Sequence, residues 1–179
     1  MHSLLATEKC KQLIRPLLKN RFEYYRLCYS IIATISLCYI LYYNFSIGSI
    51  FLWSVSFAEK IIAVVFTGVG LMIMLICMKK YFFDLSGINA LLKKQDTEIS
   101  LQVNGLNSYV RHPLYTGTLM FVFGIFLWQP LVSNLISFMC ILLYTFIGAH
   151  FEERRLIRIF GNEYKIYALH VPMLLPSFW

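Results

Sequence analysis

The sequence predicts an all-α integral membrane protein, with about four transmembrane helices in two hairpins and a polar pocket on the cytoplasmic side. Its 179 residues are 59% hydrophobic and only 14% charged, and the mean hydropathy is +0.65. Soluble globular domains carry about 25% charged residues. No Gly/Ser-rich linker and no internal repeat divide the chain. We therefore expect one membrane domain over residues 1–179.

Residues 1–26 form a basic N-terminal segment. They contain six of the 16 Lys and Arg residues, and four apolar residues share one helical face: Leu13, Ile14, Leu17 and Leu18. This pattern predicts an amphipathic helix on the membrane surface, with a partly ordered basic tail as the alternative. The first long apolar run is followed by no small-residue cleavage site, so we do not expect a secretory signal.

Four apolar runs account for the predicted transmembrane helices, because a bilayer core needs about 20 helical residues. The runs are Leu27–Tyr43, Ile61–Met78, Thr116–Trp128 and Leu131–Phe151. The third run reaches only about 20 Å at 1.5 Å per residue, so we expect a tight hairpin with the fourth. Residues Gly48–Ala58 are apolar but interrupted, and they predict either an interfacial segment or an early turn of the second helix.

The positions of the basic residues predict the orientation. Six of them lie in residues 1–26, five in 79–112 and four in 150–179, whereas Lys60 alone lies between the first two runs. The positive-inside rule then places these three stretches, and both termini, on the cytoplasmic side of a multi-pass inner membrane protein. This topology accounts for the net charge of +7 without a nucleic-acid partner.

The five cysteines and four histidines give no sign of a metal site or of a disulfide framework. No CxxC, HxxxH or HExxH pattern occurs. The sequence therefore predicts no bound metal, and the cysteines are expected to pack as small apolar residues.

The densest polar cluster is the stretch NSYVRHPLYTG, Asn107–Gly117, at the start of the third apolar run. Pro113 suits the first turn of a helix, where its missing N–H is not needed. Arg111 and His112 then stand at the helix N-terminus, whose free N–H groups favour an anion. The alternative is that His112 only caps the helix and that Arg111 only contacts lipid headgroups.

Further polar groups follow the fourth run on the same predicted side. Glu152 lies at the membrane boundary, where a carboxylate is by default a functional candidate. The structural alternative is a surface salt bridge with Arg155, three residues further along one helix face. Tyr164 and Tyr167 share one face of a further short helix and are either site residues or interfacial anchors.

Together these groups offer an anion site, a carboxylate and aromatic faces, open to water on one side and to lipid on the other. A ligand with a carboxylate, an ammonium group, a planar base and a positive sulfur matches this set, and S-adenosylmethionine is such a ligand. Residue spacing by itself does not distinguish it from a nucleotide.

The motifs of this region resemble the isoprenylcysteine carboxyl methyltransferase family and the wider set of small membrane methyltransferases, which includes phospholipid N-methyltransferases and bacterial thiol S-methyltransferases. The family pattern RHPxYxG reads RHPLYTG at 111–117, and EExxL reads EERRL at 152–156. The pattern GxxYxxY reads GNEYKIY at 161–167, and a late VP stands at 171–172. The resemblance covers residues 99–176.

The resemblance implies an S-adenosylmethionine-dependent enzyme with its cofactor pocket on the cytoplasmic side. The implied cofactor-binding residues are Leu101, Gln102, Asn107, His112, Pro113, Leu114, Tyr115, Glu152, Tyr164 and Tyr167. His112, Glu152 and Arg111 are the catalytic candidates. Asn107 stands where relatives often have a tyrosine.

The methyl acceptor is expected to be a lipophilic small molecule or lipid that reaches the site from the bilayer. A thiol, an amine and a carboxylate all remain open. Prenylcysteine carboxyl methyltransferases have an arginine for the substrate carboxylate four residues before the first glutamate of EExxL, where this chain has Gly148. The alternative function is a non-enzymatic four-span protein, either a small transporter subunit or a scaffold. The cores of the four runs contain no Asp, Glu, Lys or Arg, which argues against ion-coupled transport.

Overall fold

The computed structural model describes residues 35, 39, 42–44, 46–85 and 101–176, with side chains up to residue 79 in the first helix. The basic N-terminal segment, most of the first apolar run and residues 86–100 lie outside the described residues. The chain divides into two compact units, and the second comprises Ser49–Met78 and Glu98–Trp179. The described residues of the first unit are mostly helical. The site lies wholly within the second unit.

Helices make up the described residues, and the all-α prediction is confirmed for them. The elements are α1 (Phe57–Leu85), a short 3-10 helix (Gly105–Ser108), α2 (Pro113–Trp128), α3 (Val132–Phe160) and α4 (Asn162–His170). The described ranges contain no strand beyond one isolated bridge.

Two described helices are long and apolar enough to cross a membrane, over Phe57–Lys79 and Val132–Phe160. They contain the predicted second run and nearly all of the fourth. The third run corresponds to α2, whose 16 residues are apolar but short, as expected. The count of four spans stays a prediction, because the first run lies largely outside the described residues.

Helices α1 and α2 approach each other closely because glycines line their contact. A Cβ added at Gly70 would lie 2.5 Å from the backbone nitrogen of Phe121 and 2.7 Å from the carbonyl oxygen of Gly117. One at Gly124 would lie 2.6 Å from the backbone nitrogen of Thr67. Small residues allow this backbone approach, which membrane helices use in place of hydrophobic burial. The contact fixes α2, and with it the polar stretch at the start of that helix.

The segment Gly48–Ala58 differs from one of its two predicted forms. Phe51 forms an antiparallel bridge with the turn that joins α2 to α3, and α1 begins only at Phe57. The carboxylate of Glu59 accepts hydrogen bonds from the backbone N–H and the hydroxyl of Ser56, at 2.7 and 2.8 Å. The N–H of Glu59 in turn donates to the hydroxyl oxygen of Ser56 at 3.3 Å, and this reciprocal capping box fixes the start of the helix. The interpretation as an early turn of the second helix is therefore wrong for residues 48–56, and only Phe57 and Ala58 belong to that helix.

Helix α3 continues nine residues beyond the predicted end at Phe151, to Phe160. Gly161 ends it with φ of 58° and ψ of −124°, a conformation that only glycine adopts without strain, and α4 begins at the next residue. The extension carries the glutamates of the EERRL motif beyond the apolar part of the helix and towards the start of α2.

Candidate functional site

The start of α2 is built as the sequence predicts, with Pro113 in the first turn. His112 occupies the N-cap position, but its side chain makes no capping hydrogen bond. The capping interpretation of His112 is therefore wrong, and its buried imidazole faces the carboxylates of α3.

The segment after α4 holds this turn in place by backbone pairing. The N–H of Arg111 donates to the carbonyl of Pro172 at 2.9 Å, and the N–H of His112 donates to the carbonyl of Met173 at 3.2 Å. The hydroxyl of Thr116 donates to the carbonyl of Leu174 at 2.6 Å. Residues 172–174 thus lie along the RHP turn (residues 111–113), and one of their carbonyls satisfies the N–H of the N-cap residue, which a helix leaves free.

Glu153 connects α3 to the RHP turn through two charged contacts. Its Oε1 lies 2.8 Å from a terminal guanidinium nitrogen of Arg111 and 3.4 Å from Nε2 of His112. The side chains of Arg111 and Glu153 are only 12% and 17% exposed. The other terminal nitrogen of Arg111 donates to the carbonyl of Ala168 at 2.8 Å. Arg111 is therefore occupied by an internal partner, and its role as a free lipid anchor is wrong.

Glu152 has a different environment, because its side chain is 46% exposed. Its Oε2 lies 3.6 Å from Nδ1 of His112. Within the described residues it forms no ion pair with Arg155, so the surface salt bridge is wrong. Glu152 has capacity left for hydroxyl or ammonium groups of a ligand.

Tyr115 lies beside the side chains of His112 and Glu152. Its ring stacks on the imidazole of His112, with centroids 5.4 Å apart and planes inclined by 20°. Burial raises the pKa of the Tyr115 hydroxyl, and the neighbouring carboxylate of Glu152 raises it further. The hydroxyl therefore stays protonated at neutral pH, where it is a hydrogen-bond donor.

The two tyrosines of α4 face into the protein. Tyr164 is only 1% exposed, so its interpretation as an interfacial anchor is wrong. Its hydroxyl has no hydrogen-bond partner within the described residues. Burial and the charge of Glu153 raise the pKa of this hydroxyl, so it too remains a donor. Tyr167 donates its hydroxyl to the carbonyl of Asn107 at 2.5 Å, which ties α4 to the loop before α2.

The structure therefore brings together most of the predicted site residues: Asn107, Arg111, His112, Pro113, Tyr115, Glu152, Tyr164 and Tyr167. Leu101 and Leu114 are partly buried and Gln102 is exposed, and their contact with a cofactor stays a prediction. Glu153 and Thr116 were not among the predicted site residues. The EExxL pattern contained the signal for Glu153, but it did not tell which glutamate faces Arg111.

The cluster of Arg111, His112, Glu152 and Glu153 has unequal numbers of opposite charges. The cluster contains two carboxylates and one guanidinium, so its formal charge is −1 with a neutral imidazole. Four buried polar atoms of the site have no hydrogen-bond partner within the described residues: Arg111 Nε, His112 Nε2, the Tyr164 hydroxyl oxygen, and Glu153 Oε1, whose close contacts are ion pairs. Such atoms normally find a partner, so they indicate a ligand or water in the site. No group of three possible metal ligands occurs among the described residues, and the absence of a metal stays a prediction.

Comparison with known proteins gives a consistent class of relatives. The phospholipid methyltransferase family model matches residues 59–163. Methanethiol S-methyltransferase of Pseudomonas deceptionensis is 28% identical over 98% of this chain and 68% of its own length. Methanethiol S-methyltransferase 1 of Bradyrhizobium diazoefficiens is 28% identical over 98% of this chain, which spans 62% of that relative.

A third relative, methanethiol S-methyltransferase of Crocosphaera subtropica, is 32% identical over 52% of this chain and 38% of its own length. The chain thus spans about two thirds of the length of two relatives and aligns with a smaller share of the third. No solved structure matches the chain.

Proposed function

Since this chain belongs to the phospholipid methyltransferase family and is therefore a membrane methyltransferase, we propose that it transfers the methyl group of S-adenosylmethionine to a small thiol that partitions into the membrane. The observation that carries the proposal is the cluster of Arg111, His112, Glu152 and Glu153, in which Glu152 is half-exposed and the other three side chains are largely buried. The non-enzymatic alternative is not favoured, because a transporter subunit or scaffold does not account for the family match.

The charge and hydrogen-bonding capacity of the cluster fit the proposed cofactor. S-adenosylmethionine carries a sulfonium, an ammonium group and one carboxylate, so its net charge is positive. A cluster of formal charge −1 is complementary to it. We assign Glu152 to the ribose hydroxyls or to the ammonium group, because its carboxylate is partly exposed. The unpaired hydroxyl of Tyr164 supplies a donor, and Tyr115 and Tyr167 supply aromatic faces.

The bound cofactor supplies a methyl carbon that is already activated by the positive sulfur. The protein then has to position the acceptor in line with that carbon and to exclude water, and good orientation contributes roughly 7–11 kcal/mol to lowering a barrier of this kind. Arg111 and the segment 172–174 contribute by fixing the RHP turn. No covalent intermediate with the protein is needed.

A thiol must lose its proton as its sulfur attacks, and we propose His112 as the base. Its imidazole nitrogens lie 3.6 Å from a carboxylate oxygen of Glu152 and 3.4 Å from one of Glu153. These carboxylates can pair with the imidazolium that forms, and a positioned base contributes typically 10²–10⁴-fold to rate. The new S–CH₃ bond forms as the sulfonium C–S bond breaks, and the proton passes to His112.

Gly148 supports a thiol over a carboxylate acceptor. A carboxylate at the lipid boundary needs a fixed positive partner, because an unpaired buried charge costs several kcal/mol. Gly148 provides no charge, and a Cβ added there would meet no atom within 4 Å. Arg155 lies seven residues further along α3, about 10 Å away. Arg111 is already paired with Glu153.

An amine-headed phospholipid is the second candidate acceptor. The matched family model is that of phospholipid methyltransferases. The negative formal charge of the cluster also favours a cationic headgroup. A carboxylate acceptor would gain nothing from that charge, so we place it third.

The test is an assay of purified protein with methyl-labelled S-adenosylmethionine and three separate acceptors: methanethiol, phosphatidylethanolamine and a farnesylcysteine analogue. We expect the labelled methyl group in dimethyl sulfide, and we expect Glu152→Gln to lower this turnover. Glu163→Gln, an exposed change in α4, is the matched control. If the label appeared in phosphatidylethanolamine and not in dimethyl sulfide, the acceptor would be the amine-headed phospholipid and not the thiol. Exclusive turnover of farnesylcysteine would overturn our interpretation of Gly148.

A further inference from the structure

A second feature of the molecule lies at the other end of α2, away from His112. An open cavity of about 630 Å³ is formed there by the segment before α1, the first turn of α1 and the C-terminal end of α2. Its lining residues are Phe51, Trp53, Ser54, Val55, Lys60, Trp128 and Gln129. The 16 residues of α2 separate the two sites by roughly 24 Å at 1.5 Å per residue.

The aromatic wall of this cavity is held by defined contacts. The Trp53 ring packs edge-on against Phe126, with centroids 5.7 Å apart and planes at 89°. The ammonium nitrogen of Lys60 lies 5.9 Å from the centre of the Trp128 ring. The cavity is therefore a shaped site with one cation at its rim.

Lys60 is the one charged residue among those that line the cavity. The carboxylate of Glu59, the preceding residue, is bound to the N–H and the hydroxyl of Ser56, and Glu59 does not line the cavity. Lys60 forms no ion pair within the described residues. A cationic ligand would be repelled by Lys60, so the cavity favours an anion.

Two further polar side chains of the cavity have capacity for that anion. The hydroxyl of Ser54 and the side-chain amide of Gln129 make no hydrogen bond within the part of the chain that the structure describes. Beside them stand exposed apolar surfaces, those of Phe51 and Trp128. Donors next to an apolar wall suit a ligand with an anionic head and a hydrocarbon tail.

We propose that this cavity binds the phosphate headgroup of an anionic phospholipid, in the leaflet opposite to the methyl-transfer site. Lys60 pairs with the phosphate, Ser54 and Gln129 donate hydrogen bonds to it, and the acyl chain lies along Phe51 and Trp128. Trp and Lys at a membrane interface often act only as anchors without headgroup preference. A preference for an anionic headgroup is what distinguishes a binding site from such anchors. The inference does not depend on the proposed methyl acceptor.

The cavity can be probed by its own fluorescence, because two of the three tryptophans of the chain line it. The full-length protein carrying Trp179→Phe is titrated in detergent with phosphatidylglycerol brominated on its acyl chains. The same titration uses equally brominated phosphatidylcholine. We expect quenching at several-fold lower concentrations of phosphatidylglycerol, and we expect Lys60→Gln to abolish this difference. Lys79→Gln, which removes an exposed charge elsewhere on α1, should leave the difference intact.

Three other results would each argue against a phospholipid site in this cavity. Equal quenching by the two lipids would mean that Trp53 and Trp128 are ordinary lipid-facing residues. If Lys79→Gln reduced the preference for phosphatidylglycerol as much as Lys60→Gln does, the preference would come from general electrostatic attraction and not from this cavity. Competition by glycerol phosphate, at the concentration at which the lipid binds, would replace the lipid by a free phosphate compound. Methyl transfer is measured on the same samples, and we expect it to be unchanged in Lys60→Gln.

Discussion

Glu152 and Glu153 are adjacent in the sequence but differ in exposure, at 46% and 17% for their side chains. Successive residues of an α-helix point about 100° apart, so only one of them can face Arg111 directly. Glu153 takes that direction, and Glu152 faces the edge of the cluster. At the residue scale, Glu153 therefore maintains the structure, while Glu152 is available to a ligand.

The change Glu152→Gln is expected to weaken S-adenosylmethionine binding without lowering thermal stability. A hydrogen bond to a charged group contributes about 1.5–3 kcal/mol, which is roughly 10- to 150-fold in affinity. Isothermal titration calorimetry in detergent measures the change, with Glu163→Gln as the control. Unchanged affinity in Glu152→Gln would remove this residue from the cofactor site.

The change Glu153→Gln is expected to lower the free energy of unfolding by up to about 3 kcal/mol, because it leaves the largely buried Arg111 without its ion-pair partner. Thermal unfolding followed by tryptophan fluorescence measures the loss. Adding Arg111→Met to Glu153→Gln should recover part of the stability, since no unpaired charge then remains. A single Glu153→Gln variant as stable as the native protein would mean that the ion pair contributes nothing.

At the scale of elements, the contact between α1 and α2 positions the RHP turn. The glycine contact leaves no space for a methyl group at Gly70, whereas a Cβ added at Gly68, two residues earlier on the same helix, meets no atom within 4 Å. The packing of the two helices therefore requires glycine at position 70 but not at position 68.

Gly70→Ala is expected to destabilise the protein by about 1–3 kcal/mol, because the added carbon overlaps the backbone of α2. Gly68→Ala is expected to be neutral, or stabilising by up to about 1 kcal/mol, since alanine favours a helix over glycine. The two melting temperatures in detergent provide the comparison. Equal values would show that α1 and α2 do not approach as closely as their glycines indicate. Methyl transfer should fall in Gly70→Ala alone, because the RHP turn moves with α2.

The whole molecule is expected to have both termini on the cytoplasmic side, because 15 of its 16 basic residues lie in the three stretches assigned to that side. His2→Cys and Phe178→Cys, each in a background without the five native cysteines, should resist a membrane-impermeant thiol reagent in intact cells. Ser54→Cys, in the cavity at the opposite end of α2, should react. Labelling of either terminal position from outside would contradict this topology.

The sequence by itself determined the local features of this protein. Low charge and long apolar runs indicated membrane helices, because the bilayer core sets their length. The start of α2 at Pro113 followed from the missing N–H of proline, and the shortness of α2 followed from the extent of its apolar run. The motifs at 111–117 and 152–156 also indicated the family, since their residue types are specific as a set.

Only the tertiary structure decided which polar groups meet. The helical repeat shows that Glu152 and Glu153 diverge, but the approach of α2 decides which of them pairs with Arg111. The pairing of the RHP turn with residues 172–174 joins segments about 60 residues apart. The burial of Tyr164 likewise depends on α4 folding back on that turn. These contacts join distant segments, and local periodicity depends only on near neighbours, so it carries no information about which distant groups will pair.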